Sequence, residues 1–467
     1  MTDQTLSFTA ASDLVRKRTE HLAELLGHSP LAYVRTFGCQ QNEADSERLR
    51  GTLVLLGYQI TEDPAAADCI LVNTCAIREH AEIKALSSIG QYKHLKAAKP
   101  HLIIGVCGCM SAEKHRVEEL KSRYPYVDFT LPPAGDAMLP SLIFAAMDKK
   151  RSFSCLELRE APPASIQPVR GAKSKAWVSI MYGCNNFCSY CIVPYVRGRE
   201  RSRPYAEILA ECESLVLSGV KDITLLGQNV NSYSGGCSFA ELITRISEIP
   251  GEFILRFMTS HPKDVTPELI EAMRASAKAA RHFHLPLQSG SDDILRRMNR
   301  RYDSARYLSL VDALRSAMPE ISLTTDIIVG FPGETDEDFE KTLSVIRRVR
   351  FDSIYSFIFS PRKNTPAAEM PDQVDEKIKA DWQADVMELE EEVIFDKNDS
   401  MKGKELYAFI EGKVADENAF VGRTYRDAPG VDGYIFINTD EELMTGDIVR
   451  VRVTGAYEYD LIGEIAE

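Results

Sequence analysis

Cys184, Cys188 and Cys191 form a C-x3-C-x2-C run on one short stretch of the chain. The run follows an apolar segment, residues 177–181, that is predicted to be a strand. Thiolates are the usual protein ligands of iron–sulfur clusters, so three thiolates on a tight loop can hold three irons of a cubane cluster. The fourth iron receives no ligand from this loop, which leaves a position where a small chelating molecule can bind.

The main alternative for this loop is a zinc knuckle. Zinc in structural sites takes four ligands, commonly from paired C-x2-C units. No fourth Cys or His follows nearby in the sequence, which favours the cluster.

The spacing of the three cysteines resembles that of the radical S-adenosylmethionine (radical SAM) enzymes. In those enzymes the aromatic residue at the position of Tyr190 lies against the adenine of SAM. The resemblance implies that SAM binds the open iron through its amino and carboxylate groups. One electron from the cluster then cleaves SAM to methionine and a 5′-deoxyadenosyl radical, so the cofactors rather than protein side chains generate the radical.

The composition indicates a soluble intracellular protein of about three domains. Its 467 residues carry a net charge of −14, with 44% hydrophobic and 27% charged residues. We find neither a signal-peptide pattern nor an apolar run of about 18 residues, so we predict a cytoplasmic protein with no membrane partner. Eleven cysteines in such a chain indicate metal or redox chemistry rather than disulfides. The acidic charge disfavours a general nucleic-acid binder but allows a local basic face.

Residues 31–147 alternate between short apolar strands and amphipathic helices, a pattern typical of an open α/β domain with a parallel sheet. The predicted strands end near residues 37, 73, 106 and 131, and the predicted helices cover residues 43–56, 79–96, 112–122 and 139–147. Ligands in such domains bind beyond the carboxyl ends of the strands.

Three cysteines fall at those strand ends: Cys39, Cys75 and Cys109, separated by 36 and 34 residues. Because neighbouring parallel strands lie about 5 Å apart, the three can converge on a second three-cysteine site. Cys107 is the rival ligand to Cys109, and its place inside the predicted strand favours a packed core thiol. Four further cysteines have no metal-like neighbours and are interpreted as structural or incidental: Cys69, Cys155, Cys212 and Cys237.

A second βα series follows a linker rich in Pro and Ala. Its strands are predicted to end near residues 182, 227, 260, 288, 330 and 360, with helical stretches that include residues 206–217 and 292–318. Six βα units do not close an eight-stranded barrel, so we predict a partial (β/α)6 barrel with its active site at the strand C-termini.

The last segment contains short strand-like runs separated by Gly and Asp turns, at residues 407–411, 419–424, 433–437, 447–453 and 461–464. It is predicted to be a small antiparallel β-barrel of the oligonucleotide-binding type. A β-barrel without a nucleic-acid role is the alternative. The predicted domains are therefore an extension (1–29), an α/β domain (30–149), a linker (150–172), a radical SAM barrel (173–399) and the β-barrel (400–466).

The motifs around the cysteines resemble the methylthiotransferase family. They are Gly-Cys-Gln-Gln-Asn at 38–42, Asp-Ser-Glu at 45–47, Asn-Thr-Cys-Ala-Ile-Arg-Glu at 73–79, Gly-Cys-Met at 108–110, and Gly-Arg-Thr at 422–424 in a segment that resembles the family's RNA-binding TRAM domain. Within the family, the sequence at 178–181, 192–198, 202–204 and 284–291 most resembles the branch that modifies isopentenylated adenosine in tRNA.

The resemblance implies conversion of N(6)-isopentenyladenosine beside the anticodon to its 2-methylthio derivative. Replacing an unactivated aromatic C–H bond by a C–S bond requires a radical. The resemblance implies two 4Fe-4S clusters, one on Cys184, Cys188 and Cys191 and an auxiliary one on Cys39, Cys75 and Cys109. One SAM supplies the methyl group, a second supplies the radical, and the auxiliary cluster supplies the sulfur. No catalytic side chain is assigned beyond the cluster ligands.

Four residues are predicted to contact SAM: Tyr190, Gln228, Gly330 and Arg203. Gln228 and Gly330 lie in two stretches after predicted barrel strands, 226–229 and 329–334, that resemble SAM-contacting motifs. Taken alone, each stretch is an ordinary βα turn, although a glycine there lets the backbone approach a ligand closely. Two arginine runs are ambiguous. The first, Arg197, Arg199, Arg201 and Arg203, fits a solvated charge run or contacts to phosphate or the SAM carboxylate. The second, Arg296, Arg297, Arg300 and Arg301, fits a surface helix or a basic face for tRNA.

The expected partners are the anticodon stem-loop of tRNA, an electron donor such as flavodoxin or ferredoxin, and an iron–sulfur cluster carrier. The nearest rivals are the family branches acting on threonylcarbamoyladenosine in tRNA or on an aspartate of a ribosomal protein. A non-catalytic metal-containing RNA-binding protein is the remote alternative, because it leaves the second cysteine set unexplained.

Overall fold

The computed structural model describes residues 7–76, 79–154, 166–415, 417–431 and 433–466. Contacts divide the chain into two compact units. The first holds the described residues up to Gly171, together with Met181–Asn185 and Ile192–Arg203, and the second holds the remainder. Cys155, the Pro-Ala linker motif at 161–164, and residues 77–78 of one cysteine motif lie outside the described residues.

The first unit alternates helices and strands. Its elements are α1 (Phe8–Leu26), β1 (Leu31–Thr36), α2 (Gln40–Leu55), β2 (Gln59–Ile60), β3 (Cys69–Thr74), α3 (Glu79–Ala98), β4 (Ile103–Gly108), α4 (Lys114–Arg123), β5 (Phe129–Leu131) and α5 (Leu139–Met147). The five strands form one parallel sheet with the order β2-β1-β3-β4-β5, which confirms the predicted open α/β domain.

Alternating strand residues build a core on each face of this sheet. Leu71 packs with Leu53 of α2 on one face, and the adjacent Val72 packs with Ile89 of α3 on the other. Successive side chains of a strand point to opposite faces, so an almost continuous apolar strand serves both helix layers. The predicted N-terminal extension contains helix α1, and Val15 of α1 is fully buried in the first of these cores.

The second unit contains most of the next βα series. The elements from residue 175 to 399 are β6 (Lys175–Ser179), β7 (Met181–Tyr182), α6 (Val193–Val196), β8 (Arg201–Ser202), α7 (Tyr205–Leu217), β9 (Asp222–Leu226), α8 (Phe239–Ser247), β10 (Ile254–Phe257), α9 (Pro267–Ala275), β11 (His282–His284), α10 (Asp292–Arg297), α11 (Ser304–Ala317), β12 (Ser322–Val329), α12 (Asp336–Val349), β13 (Ser353–Ile358) and α13 (Glu376–Asp399). Of these, β7, α6 and β8 belong to the first unit.

Two three-stranded parallel sheets carry the predicted partial barrel, with the orders β10-β9-β6 and β11-β12-β13. Two details of the prediction are wrong. The strand predicted over 177–181 ends at Ser179, and β7 instead pairs antiparallel with β8. The helix predicted over 292–318 is two helices, because Asn299 adopts a positive φ of 57° and Asp303 caps a new helix by accepting from the Arg306 backbone.

The chain ends in a closed five-stranded barrel of β14 (Glu405–Lys413), β15 (Ala419–Arg423), β16 (Ile435–Asn438), β17 (Ile448–Tyr457) and β18 (Asp460–Ile465). The small barrel is confirmed, but β16 and β18 pair in parallel, so it is not antiparallel throughout.

Arg423 of the Gly-Arg-Thr motif attaches this barrel to the N-terminal end of strand β9. Its side chain is fully buried, lies 2.8 Å from the Asp222 carboxylate and also pairs with Glu411 at 2.5 Å. Arg256 of β10 donates to the backbone carbonyls of Thr424 and Asp427. The motif arginine is therefore a docking residue inside the protein. No helix among the described residues is long and apolar enough to cross a membrane.

Candidate metal centres

Cys39, Cys75 and Cys109 lie at the carboxyl ends of three adjacent strands, β1, β3 and β4. Cys39 precedes α2, Cys75 directly follows β3, and Cys109 directly follows β4. Cys75 and Cys109 are almost fully buried, whereas Cys39 is half-buried. The structure thus brings the three together at one edge of the sheet.

Two glycines in the cysteine motifs allow this close approach. Gly38 and Gly108 adopt positive φ values of 136° and 90°. A Cβ on Gly38 would lie 2.7 Å from Cys75 Cβ, and one on Gly108 would lie 2.3 Å from Asn73 Oδ1. Any larger residue would separate the strand ends, so the glycines before Cys39 and Cys109 serve the packing of the site.

Asn42 and Asn73 tie the segment after β1 to the end of β3. The Cys39 thiol donates to Asn42 Oδ1 at 3.2 Å, and Asn42 Nδ2 donates to the Thr74 carbonyl at 2.8 Å. Asn73 Nδ2 donates to the Asn42 carbonyl at 2.8 Å and to Ser46 Oγ at 2.9 Å. Each side-chain amide has two donors and an acceptor, so the pair can bridge several loops at once.

Arg197 reaches the same site from the end of α6. Its Nε lies 3.2 Å from Cys109 Sγ, and its Nη2 lies 3.0 Å from Asp45 Oδ2. Burial acts to raise the pKa of Asp45, but Arg197 and Arg48 outweigh it and hold that pKa below its usual value. Burial raises the pKa of the Cys109 thiol to about 12 although Arg197 opposes the shift, so metal binding there must release a proton.

Three thiols at one edge of the sheet have the donor chemistry that iron–sulfur clusters use. In the described part of the chain, no three His, Cys, Asp or Glu side chains converge closely enough to hold one metal ion. A cubane takes each thiolate on a different iron, so its ligands need not converge on one point. Cys109 also packs in an apolar group with Ala76, Ile192 and Val196, the kind of shell that controls solvent access to a metal site.

Cys107 is a core thiol, as interpreted from the sequence. It is buried in the same core as Leu71 and Phe129, and burial raises its pKa well above the usual value. Cys69 lies in that core as well, and Cys212 is buried on α7.

The C-x3-C-x2-C loop begins in the first unit and ends in the second. In the first unit, the Cys184 backbone N–H donates to the Gly198 carbonyl at 3.1 Å. Gly183 has a positive φ of 74°, and a Cβ there would lie 2.1 Å from the Arg199 carbonyl oxygen. This glycine is therefore required by the close passage of residues 198–199.

In the second unit, Cys188 and Cys191 are joined by a turn in which the Cys191 N–H donates to the Cys188 carbonyl at 2.9 Å. Ser189 fixes this turn from three sides. Its N–H donates to the Met298 carbonyl, its hydroxyl donates to the Arg297 carbonyl, and its own carbonyl accepts from Ala367.

Arg300 contacts this turn, which neither interpretation of the second arginine run anticipated. Its Nη1 lies 3.4 Å from Cys188 Sγ, its Nε donates to Tyr302 Oη at 3.0 Å, and its Nη2 donates to the Pro286 carbonyl at 3.1 Å. Arg297 is likewise tied to the Pro332 carbonyl. Arg296, Arg297 and Arg301 are exposed and fit a surface position, whereas Arg300 is buried.

The four predicted SAM contacts divide between the units. In the second, Tyr190 packs with Phe331, Phe359 and Met298. Among the residues that the structure describes, the buried Oε1 of Gln228 has no hydrogen-bond partner, so it can accept a hydrogen bond from a ligand. In the first unit, Arg203 is half-buried and interacts electrostatically with Tyr182.

Gly330 has a neighbour that the sequence did not indicate. Its φ is 73°, and a Cβ would lie 2.2 Å from Cγ of Lys379, a buried residue of α13. The Gly330 and Phe331 N–H groups both donate to Glu334 Oε2, at 2.6 and 3.0 Å. Burial raises the pKa of Glu334 to about 7. Glu334 ends the stretch at 329–334 from which only Gly330 was predicted as a SAM contact, and no sequence pattern indicated Lys379.

Three family models match successive parts of the chain. An uncharacterized protein family, UPF0004, matches residues 31–132, the radical SAM superfamily matches residues 178–346, and the TRAM domain matches residues 403–466.

Curated relatives match nearly the whole chain. It is 44% identical over 441 residues to tRNA-2-methylthio-N(6)-dimethylallyladenosine synthase of Thermoanaerobacter sp. (strain X514), covering 93% of this chain and 92% of that protein. The synthase of the same name from Alkaliphilus oremlandii is 41% identical, with 97% of each chain covered.

Solved structures show likeness of fold alone. The radical S-adenosylmethionine methyltransferase TsrM from Kitasatospora setae, with a tryptophan substrate and a SAM analog bound, superposes with a TM-score of 0.56 at 14% identity. The match covers 73% of this chain and 75% of that one.

Proposed function

The chain belongs to the tRNA-2-methylthio-N(6)-dimethylallyladenosine synthase family of radical SAM enzymes, and on that premise we propose that it 2-methylthiolates N(6)-isopentenyladenosine next to the tRNA anticodon. One SAM serves as methyl donor, and a second is the source of the 5′-deoxyadenosyl radical. The observation that carries the proposal is the second set of three cysteines at the edge of the first unit's sheet. A radical enzyme that inserts sulfur needs a sulfur source besides SAM, and this set offers one.

When bound, the two clusters supply the electron that cleaves SAM and the sulfur that enters the product. Cys184, Cys188 and Cys191 would hold the first, and Cys39, Cys75 and Cys109 the second. The chain itself positions these ligands through Asn42, Asn73 and the close-packed glycines. The buried Oε1 of Gln228 can accept a hydrogen bond from SAM.

A basic groove supports the proposed tRNA partner despite the acidic net charge. It encloses about 760 Å³ between the N-terminal ends of β12 and β13 and the terminal barrel. Five of its lining residues are basic and three are acidic: Arg315, Arg350, Lys397, Lys404 and Arg426, with Glu320, Asp352 and Glu405. Lys397 and Arg426 pair with Asp352, and Arg350 pairs with Asp396, so a small excess of positive charge remains for contacts to the phosphate backbone. Such contacts are salt-dependent.

The test is to offer the reconstituted enzyme three substrates side by side. They are tRNA with isopentenyladenosine, tRNA with threonylcarbamoyladenosine, and the small-subunit ribosomal protein. We expect a methylthio product, detected by mass spectrometry of nucleosides or peptides, only with the first. A product with either other substrate would assign the chain to that branch, and zinc-loaded protein that never cleaves SAM would refute the enzyme proposal altogether.

A further inference from the structure

Arg197 follows the C-x3-C-x2-C loop in the chain, yet its side chain lies at the other cysteine set. The short helix α6 explains its position. Ile192 and Val196 pack with Ala76 and Cys109, and the Arg197 N–H donates to the Val193 carbonyl at 2.8 Å. This apolar contact fixes the end of α6 against the site, so the Arg197 side chain enters it.

The guanidinium of Arg197 is enclosed by polar atoms of that site. It contacts Cys109 Sγ at 3.2 Å, Asp45 Oδ2 at 3.0 Å and Asn42 Oδ1 at 3.3 Å, and its side chain is only 4% exposed. Asp45 is shared with Arg48, which lies 2.8 Å from Asp45 Oδ1 and 3.6 Å from Asp136. Two arginines thus face two carboxylates, so the buried groups are balanced before any thiolate is counted.

Thiolates bound to iron add negative charge to this balanced group. The reduction potential of an iron–sulfur cluster depends on net charge, on burial and on hydrogen bonds to its sulfurs. A fixed cation in contact with a ligand sulfur favours the more negative, reduced state, and burial strengthens the effect because screening is weak. Neighbours of this kind also orient the ligands themselves.

We propose that Arg197 is a positioning residue of the auxiliary centre: its guanidinium holds the Cys109 sulfur and raises the reduction potential of the cluster bound there. The inference rests on the proposed function, since it takes Cys39, Cys75 and Cys109 as cluster ligands. It adds a role for a residue that belongs, by sequence, to the radical SAM part of the chain.

The experiment measures the auxiliary cluster alone. The full-length chain carries Cys184→Ala, Cys188→Ala and Cys191→Ala as the parent, is reconstituted with iron and sulfide, and is titrated against redox dyes with electron paramagnetic resonance detection. Arg197→Gln and Arg197→Met remove the charge, and Arg197→Lys keeps it. Arg199→Gln, two residues away and exposed, is the matched control.

We expect the two neutral variants to lower the equilibrium constant for one-electron reduction about tenfold, or about 59 mV. Arg197→Lys should stay within about threefold of the parent, and Arg199→Gln should match it. Neutral variants that lose iron while Arg197→Lys retains it would also support the role of the charge.

Two results would overturn the inference. One is neutral variants that hold the parental iron content at the parental potential. The other is loss of iron from Arg197→Lys as well, because the residue would then act through packing alone. A parent that binds no iron would instead refute the auxiliary cluster and the proposed function with it. The measurement needs no tRNA, so an enzyme that fails to modify tRNA would refute the proposed substrate but not the role of Arg197.

Discussion

The two cysteine sets are assembled in opposite ways. Cys184, Cys188 and Cys191 come from one loop, whereas Cys39, Cys75 and Cys109 come from three strand ends. Yet each set has an arginine on one sulfur: Arg197 lies 3.2 Å from Cys109 Sγ, and Arg300 lies 3.4 Å from Cys188 Sγ. Local spacing defines one site and sheet topology the other, but the charge environment of both depends on residues distant in sequence.

The surroundings of the two arginines differ. Arg197 meets a carboxylate, Asp45, and so belongs to a balanced ionic group. Arg300 meets neutral acceptors, Tyr302 Oη and the Pro286 carbonyl. A buried arginine that has no carboxylate partner in the described part of the chain keeps more of its charge effect for the nearby sulfur. We therefore expect the loop site to depend more strongly on its arginine.

The largest expected effect separates the two sets directly. Wild-type protein should bind about eight irons, and alanine substitution of either cysteine set should leave about four. Loss of the loop set should abolish SAM cleavage, whereas loss of Cys39, Cys75 and Cys109 should abolish methylthiolation but leave SAM cleavage. Iron analysis and 5′-deoxyadenosine formation measure both. A wild type with about four irons, falling to none without the loop set, would contradict the second site.

Arg300→Gln should lower the constant for one-electron reduction of the loop cluster by about tenfold or more, since a buried cation is removed from Cys188. The measurement uses the Cys39→Ala, Cys75→Ala and Cys109→Ala background, with SAM cleavage as second readout. Arg301→Gln, adjacent and exposed, is the control. Equal reduction potentials for Arg300→Gln and Arg301→Gln would show that Arg300 contacts Cys188 without affecting the potential of the cluster.

Gln228→Ala should weaken SAM binding up to about tenfold, or about 1.4 kcal/mol, because the bound ligand would lose a buried hydrogen-bond acceptor. Equilibrium dialysis of the cluster-loaded protein gives the dissociation constant. Iron content should not change, which distinguishes a SAM contact from a cluster ligand. Gln59→Ala, on an exposed position of β2, is the control. An unchanged dissociation constant would remove Gln228 from the site.

The smallest effect concerns Glu334, whose pKa burial raises to about 7. The folded protein then binds a proton that the unfolded chain has released, so stability falls as pH rises from about 4.5 to 7 and beyond. Between pH 6 and 8 the loss should be about 1 kcal/mol. Glu334→Gln should remove that part of the slope in urea unfolding.

Two further variants serve as controls for the pH dependence of stability. Glu337→Gln, on an exposed side chain of α12, should keep the wild-type slope. Glu47→Gln should behave like Glu334→Gln, because burial raises the pKa of Glu47 in the first unit to about 7 as well. Identical slopes for wild type and Glu334→Gln would show that this carboxyl titrates as an ordinary one.

Much of the fold was predictable because it depends on local patterns. Alternating apolar strands and amphipathic helices predicted the parallel sheet, the partial barrel and the terminal β-barrel, and the structure confirms them. The errors fall where one residue changes the backbone, as at Asn299, whose positive φ divides the predicted helix over 292–318. Helical periodicity continues across such a residue and does not reveal the break.

Sequence alone determined the family, because residue type and spacing carry its motifs. The same motifs predict the two cysteine sets and the order of the domains. Tertiary structure decided which side chains meet. It placed Arg197 on Cys109, Arg300 on Cys188, Lys379 against Gly330 and Arg423 inside the protein. Arginines in runs look solvated in a sequence. Burial depends on packing between segments that lie far apart in the chain, such as 88 residues for Arg197 and Cys109 and 201 residues for Arg423 and Asp222. Local residue spacing does not reveal such contacts.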